Sequence, residues 1–120
     1  MRAWALILAA LATPATAETP AWVGYWAENA AWCANAGEVG DETPDLYDQT
    51  GIYGLEWSCE IDQITAIPGG SRWHVTTTCL DAGEEFKADS LWIITHRDRL
   101  LIIDEYGNSN DLLRCAKKPE

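Results

Sequence analysis

From Leu55 to Asp62 the chain reads Leu-Glu-Trp-Ser-Cys-Glu-Ile-Asp, with apolar and polar residues swapping at every step. That period of two belongs to an extended strand with one dry face and one wet face. Pro68-Gly69-Gly70-Ser71 follows as a turn signal. Arg72–Leu80 then reads as a second strand, rich in β-branched and aromatic residues, with Trp73, Val75, Thr77 and Cys79 on one side. Folding this hairpin about Gly69 sets Cys59 opposite Cys79, on the face that also carries Trp57 and Trp73. Paired antiparallel strands hold Cβ atoms close enough for a disulfide, so Cys59–Cys79 is the favoured pair. Cys33–Cys115 then ties the N-terminal region to the last strand. A bulge near Gln63–Ile67 would shift the register by one residue.

The same pattern continues. Leu91–Thr95, Leu100–Asp104 and Asp111–Cys115 read as strands, with Trp22–Trp26 as a first strand and Leu46–Gln49 as a short one. Glu28–Ala36 is Ala-rich without β-branched residues and predicts a short helix. Gly37–Pro44 reads as an acidic loop. The expected fold is mainly β: an antiparallel up-and-down meander of six to eight strands, curled into a small barrel or sandwich, with one short N-terminal helix and two disulfides. Leu91–Ile94 and Leu100–Ile103 are apolar on both faces. An antiparallel sheet usually wets one face, so the helix or a partner is expected to cover their outer side.

The first residues carry a different signal. Arg2 precedes an uncharged run, Ala3–Ala12, which ends before Pro14 and an Ala15-Thr16-Ala17 cleavage pattern. These are the three parts of a secretory signal peptide. The run is about half the length of a membrane span, and no cysteine follows the cleavage point for lipid attachment. Met1–Ala17 is therefore read as a signal peptide, and residues 18–120 as one disulfide-bonded domain in the periplasm or outside the cell. All four cysteines, Cys33, Cys59, Cys79 and Cys115, lie downstream of it, which suits an oxidising compartment.

Loss of Arg2 takes the formal net charge from −11 to −12. Such a chain repels nucleic acid and anionic lipid, which require clusters of Lys and Arg. Catalytic and cofactor chemistry find no motif. No serine sits in a G-x-S-x-G elbow, His74 and His96 share no short motif with a nucleophile, and neither C-x-x-C nor H-E-x-x-H occurs. Asp41–Asp48 gathers carboxylates but lacks calcium-loop spacing. The expectation is no enzyme, no metal and no cofactor.

Six tryptophans remain after cleavage: Trp22, Trp26, Trp32, Trp57, Trp73 and Trp92. Trp26, Trp57 and Trp73 are expected in the core. Trp22 and Trp32, flanked by alanines, are the candidates for an exposed recognition role.

The order Trp22-x-Gly24-x-Trp26-Ala27, Cys33, Gly54-x-Glu56-x-x-Cys59-x-Ile61, Trp73-x-Val75, Cys79 and Leu113-Arg114-Cys115 resembles a group of small exported four-cysteine proteins of α-proteobacteria and other Gram-negative bacteria. The resemblance implies export, the four cysteines and a β-rich fold, and no particular activity. Leu80-Asp81-Ala82-Gly83 departs from it, because an acidic residue is expected directly before the glycine. Gly24-Tyr25-Trp26 and Arg114 are also similar to the signature of lipocalin-like barrels, among them periplasmic metalloprotease inhibitors. That likeness implies that Trp26 packs beneath Arg114 and helps to close a barrel. The function expected from the sequence is a non-enzymatic binding module for a protein partner, in the manner of a protease inhibitor. A small-ligand binder that uses the barrel interior is the alternative, and a small hydrolase comes third.

Overall fold

A computed structural model describes Glu18–Glu120; the proposed signal peptide lies outside the described residues. Eight antiparallel strands follow in chain order: β1 (Gly24–Ala27), β2 (Asp45–Tyr47), β3 (Gly51–Gly54), β4 (Trp57–Ala66), β5 (Arg72–Asp81), β6 (Glu84–Ile94), β7 (Arg99–Asp104) and β8 (Ser109–Arg114). Each pairs with its sequence neighbour, and β8 returns to β1, so the sheet closes into a barrel with no free edge. Eight strands enclose an interior that side chains can just fill or that can hold one small ligand.

β4 and β5 form the predicted hairpin, and Cys59 pairs with Cys79 in register and in a disulfide. The register was reached by two compensating departures from the simple picture. Ala66 pairs with Trp73, so the turn is centred between Gly69 and Gly70, and a bulge between Ile61 and Gln63 recovers the half-step. β6 begins at Glu84, well before the apolar run at Leu91, because pairing with all of β5 extends it through charged residues. β3 was not foreseen; its two glycines, Gly51 and Gly54, mask the strand pattern. The β5–β6 turn places both Ala82 and Gly83 at positive φ. This is the turn geometry that favours Asn or Asp before glycine, so Ala82 is the less suited residue.

Where a helix was expected at Glu28–Ala36, the chain makes a 3₁₀ segment, Ala30–Asn35, capped by the Asn29 side chain accepting from the Trp32 N–H. Six residues are too few for a stable α-helix without a packed face, and none of these is buried. The segment packs on the outside of β1, not over β6 and β7. Outward-facing Leu91, Ile93, Leu101 and Ile103 shield one another across the β6–β7 pair and remain half-exposed.

The two ends of the barrel differ. One end carries the N-terminal segment and the β2–β3, β4–β5 and β6–β7 turns, and aromatic packing closes it. Trp22 stacks edge-on against Trp73 (centroids 5.2 Å apart) and Trp92 (6.4 Å), and Tyr47 meets Trp92 at 5.3 Å. Trp26 and Trp92 are completely or almost completely buried in this core. Trp57 and Trp73 pack against it while half-buried.

The closing seam is short. β1 and β8 share only Trp26↔Arg114 and Ala27↔Leu113. Arg114 reinforces it from the closed end: its guanidinium lies 4.2 Å over the Trp26 ring, donates to the Val23 and Ala21 carbonyls, and pairs with Asp98 at 3.0 Å. Gly24 makes room for it, since a Cβ there would sit 2.9 Å from Arg114 Nη1. The Cys33–Cys115 disulfide fastens the 3₁₀ segment across the outside of the same seam, next to Tyr25, whose carbonyl accepts from the Cys115 N–H.

Candidate functional site

The opposite end of the barrel is open. It is rimmed by the long β1–β2 connection and by the β3–β4, β5–β6 and β7–β8 turns. A cavity of about 370 Å³ opens there, inside the usual range for small-molecule sites. Its aromatic lining comes from Trp26, Trp32, Tyr47 and Trp57. Other depressions of similar volume, such as that bordered by Tyr53, Leu80 and Gly83, lie at the outer surface and the turns.

The strands dictate this lining. Trp26 pairs with Asp45, and the next inward position of β2 is Tyr47. Both β2 residues therefore face the interior, although β2 is only three residues long. Trp57 stands at the start of β4, opposite Gly54, and its indole lies where a Gly54 side chain would be: a Cβ would come within 2.1 Å of Trp57 Nε1. Gly54 has ordinary strand φ, so Gly54→Ala is a purely steric test. It is expected to displace the Trp57 wall and cost about 1–3 kcal/mol, read as a lower Tm with a changed near-UV circular dichroism band. An unchanged band would refute the packing of Trp57 over Gly54.

The polar lining is one-sided. Glu28, Asp41, Glu42 and Asp45 all border the cavity, and none of the described lining residues is basic. Burial, reinforced by the nearby Glu28 charge, pushes the Asp45 carboxyl up to about 6. Burial, with the Asp45 charge adding to it, also pushes the Tyr47 hydroxyl upward, so it stays protonated. Tyr47 is only 3 % exposed; its hydroxyl bonds no described residue, but no buried side-chain oxygen among them is left unsatisfied, so the hydroxyl keeps access to solvent. Neither has the Asp45 carboxylate an ion-pair partner there.

The sequence-based candidates divide between the two ends. Trp32 lines the open cavity, half-buried. Trp22 lies at the closed end, half-buried against Trp73 and Trp92, and donates from Nε1 to the Asp48 carbonyl. His74 pairs with Asp89 on the outer surface, and His96 lies in the exposed β6–β7 turn at the closed end. The histidines therefore lie apart from the cavity. Among the described residues no cluster of three or more His, Cys, Asp or Glu has metal-holding geometry.

Asp45 and Tyr47 were missed as site residues. Asp45 falls between the Gly37–Pro44 loop and the Leu46–Gln49 strand that the sequence suggests. The one available signal was the Asp-Leu-Tyr alternation, which is too short to separate a strand from a loop.

Fold and site together define a small, closed, eight-stranded antiparallel barrel with one end plugged and an aromatic, acidic cavity at the other. No family model, curated protein or solved structure matches the chain.

Proposed function

We propose that the chain is an exported, non-enzymatic binding protein that takes a small ligand into the open end of its barrel. The cavity of about 370 Å³, walled by Trp26, Trp32, Tyr47 and Trp57, carries this reading. Ligand sites are concave and mostly apolar, with a few convergent polar groups, and this cavity offers aromatic walls beside Asp45. Its described lining residues include no Ser, Cys, His or Lys for nucleophilic catalysis. The protein-partner version draws less support, because Trp22 packs half-buried against Trp73 and Trp92 and the β6–β7 outer side chains shield one another. The four cysteines, all paired in two disulfides, suit the proposed export to the periplasm or beyond.

Amide chemical-shift mapping tests the reading, with a panel of small aromatic and aliphatic compounds of positive, negative and zero charge. Shifts are expected to concentrate at Trp32, Asp45, Tyr47 and Trp57. Shifts confined to Leu91, Ile93, Leu101 and Ile103, or none from the whole panel, would overturn it.

A further inference from the structure

The inference concerns the chemistry of the ligand and rests on the reading of the open end as a ligand site. We infer that the cavity receives a small organic cation, an alkylammonium group held against the indole and phenol faces with its charge balanced by Asp45.

Three independent features point the same way. The first is the wall. Trp and Tyr faces carry negative π-density and attract cations, quaternary ammonium groups above all. Four such side chains border one cavity; half-buried Trp32 and Trp57 offer the accessible faces, while Trp26 is fully buried with Arg114 over its ring. An anionic ligand would meet those same faces and four carboxylates, with no basic group among the described lining residues to receive it.

The second is the unmet polar chemistry inside. The Tyr47 side chain is almost fully enclosed and lines the cavity; its hydroxyl bonds no described residue and, since no buried side-chain oxygen among them is left unsatisfied, it keeps access to solvent. Asp45 is half-buried beside it with no counter-ion among the described residues. Desolvating a carboxylate next to Glu28 is unfavourable unless a positive group joins it. An ammonium ion supplies that group, and a hydroxyl or amide on the same ligand gives Tyr47 a partner.

The third is the charge layout of the whole barrel. Arg72, Arg97, Arg99 and Arg114, all the arginines of the described residues, sit at the closed end, on or beside the β4–β5 and β6–β7 turns or at the end of β8. The turns at the open end carry Glu56, Asp81, Glu84, Glu85 and Glu105, in addition to the carboxylates that line the cavity. A field of that polarity draws cations toward the open end and repels anions from it. Lys87, three residues into β6, and Lys117, bonded to the Ala36 carbonyl in the β1–β2 connection, are the basic groups nearest the open end, and neither lines the cavity.

The test is calorimetric titration of the mature protein at pH 8 with three near-isosteres: choline, the uncharged 3,3-dimethyl-1-butanol, and the anionic 3,3-dimethylbutyrate. Choline is expected to bind at least about tenfold more tightly than the alcohol, and the anion not to bind. Asp45→Asn is expected to remove most of that preference while the protein stays folded, and added salt to weaken choline alone. Equal or tighter binding of the alcohol or the anion would overturn the cation inference and leave the cavity reading intact. Failure of all three, together with a panel that produces no shifts at the cavity, would remove both. Choline binding unchanged by Asp45→Asn would overturn the assignment of Asp45 as the counter-charge.

Discussion

Replacing Cys33 and Cys115 together by serine is expected to cost about 4–5 kcal/mol, the largest effect of any substitution considered for this fold. The bond closes a loop of 82 residues, and chain-entropy arguments assign about 4.5 kcal/mol to a loop of that size. The Cys59–Cys79 bond spans only 20 residues and on the same basis contributes about 3 kcal/mol. Small domains are stable by about 5–15 kcal/mol, so the double variant retains little margin. The location adds to the effect. The disulfide spans the outside of a β1–β8 seam of two residue pairs, whereas β5 and β6 share ten. Opening is therefore expected at the seam first. Hydrogen exchange on the variant should show early loss of protection at Trp26, Ala27, Leu113 and Arg114, ahead of β5 and β6. A variant that melts within a degree or two of the parent would show that the ladder and the Arg114 contacts hold the barrel shut by themselves.

The second large effect has the opposite sign and belongs to the site. Asp45→Asn is expected to stabilise the free protein at pH 8. The folded state raises the Asp45 carboxyl from 3.8 to about 6, first through burial and then through Glu28. The folded protein thus binds the proton more tightly than the unfolded chain does. The stability tied to that proton is present in full below about 4 and is lost as pH rises through about 6. Two pKa units correspond to at most about 3 kcal/mol. The carboxyl is partly wetted, so screening brings the expected gain to about 1–2 kcal/mol. Asparagine removes the charge at nearly constant shape. Its advantage should appear at pH 8 and vanish at pH 4, as seen in chemical denaturation at the two pH values. Equal effects at both would place the Asp45 carboxylate in ordinary solvent. A residue that weakens the free protein and faces a cavity suits a group retained for binding, because sites commonly trade stability for function.

The two effects are connected through the cation. A bound ammonium lowers the free energy of the ionised carboxyl, so choline affinity is expected to rise as pH increases through 6. Glu28, Asp41, Glu42 and Tyr47 face the same space. Burial keeps Tyr47 neutral, and Asp45 is the carboxyl that burial and Glu28 raise into that interval.

The barrel was legible in the sequence wherever strands were long and one-faced. Leu55–Asp62 and Arg72–Leu80 alternate cleanly, and with Pro68-Gly69-Gly70 they point to both the hairpin and the Cys59–Cys79 pair. The short strands were less visible. β2 has three residues and β3 has a glycine at each end, too little for periodicity to stand out from loop composition. The first half of β6 was hidden by Glu84, Glu85 and Lys87, which are tolerated because that part of the strand is exposed on both faces. Glu28–Ala36 misled because helix propensity, weak over so few residues, yields to the demands of a connection that must cross the seam and place Cys33 beside Cys115.

The site was less legible than the fold. Tryptophan abundance marked the right residue type, and Trp32 reaches the cavity, but two alanine-flanked tryptophans went to opposite ends of the barrel. Trp22 precedes β1 and turns under it, where its indole fills the aromatic plug; Trp32 follows β1 and lies along the rim. The difference arises from which end of a four-residue strand each flanks, and composition carries no trace of it. The carboxylates were equally ambiguous, since Asp45 is distinguished from Asp41 and Glu42 only by belonging to β2 and pairing with Trp26.

Carbon-detected NMR titration of the Asp45 carboxyl, in the free protein and again with saturating choline, tests the central claim most directly. The predicted result is a midpoint of about 6 in the free protein and a clearly lower one with choline bound. A free midpoint near the ordinary carboxylate value of 3.8, or a raised one that choline leaves in place, would contradict it.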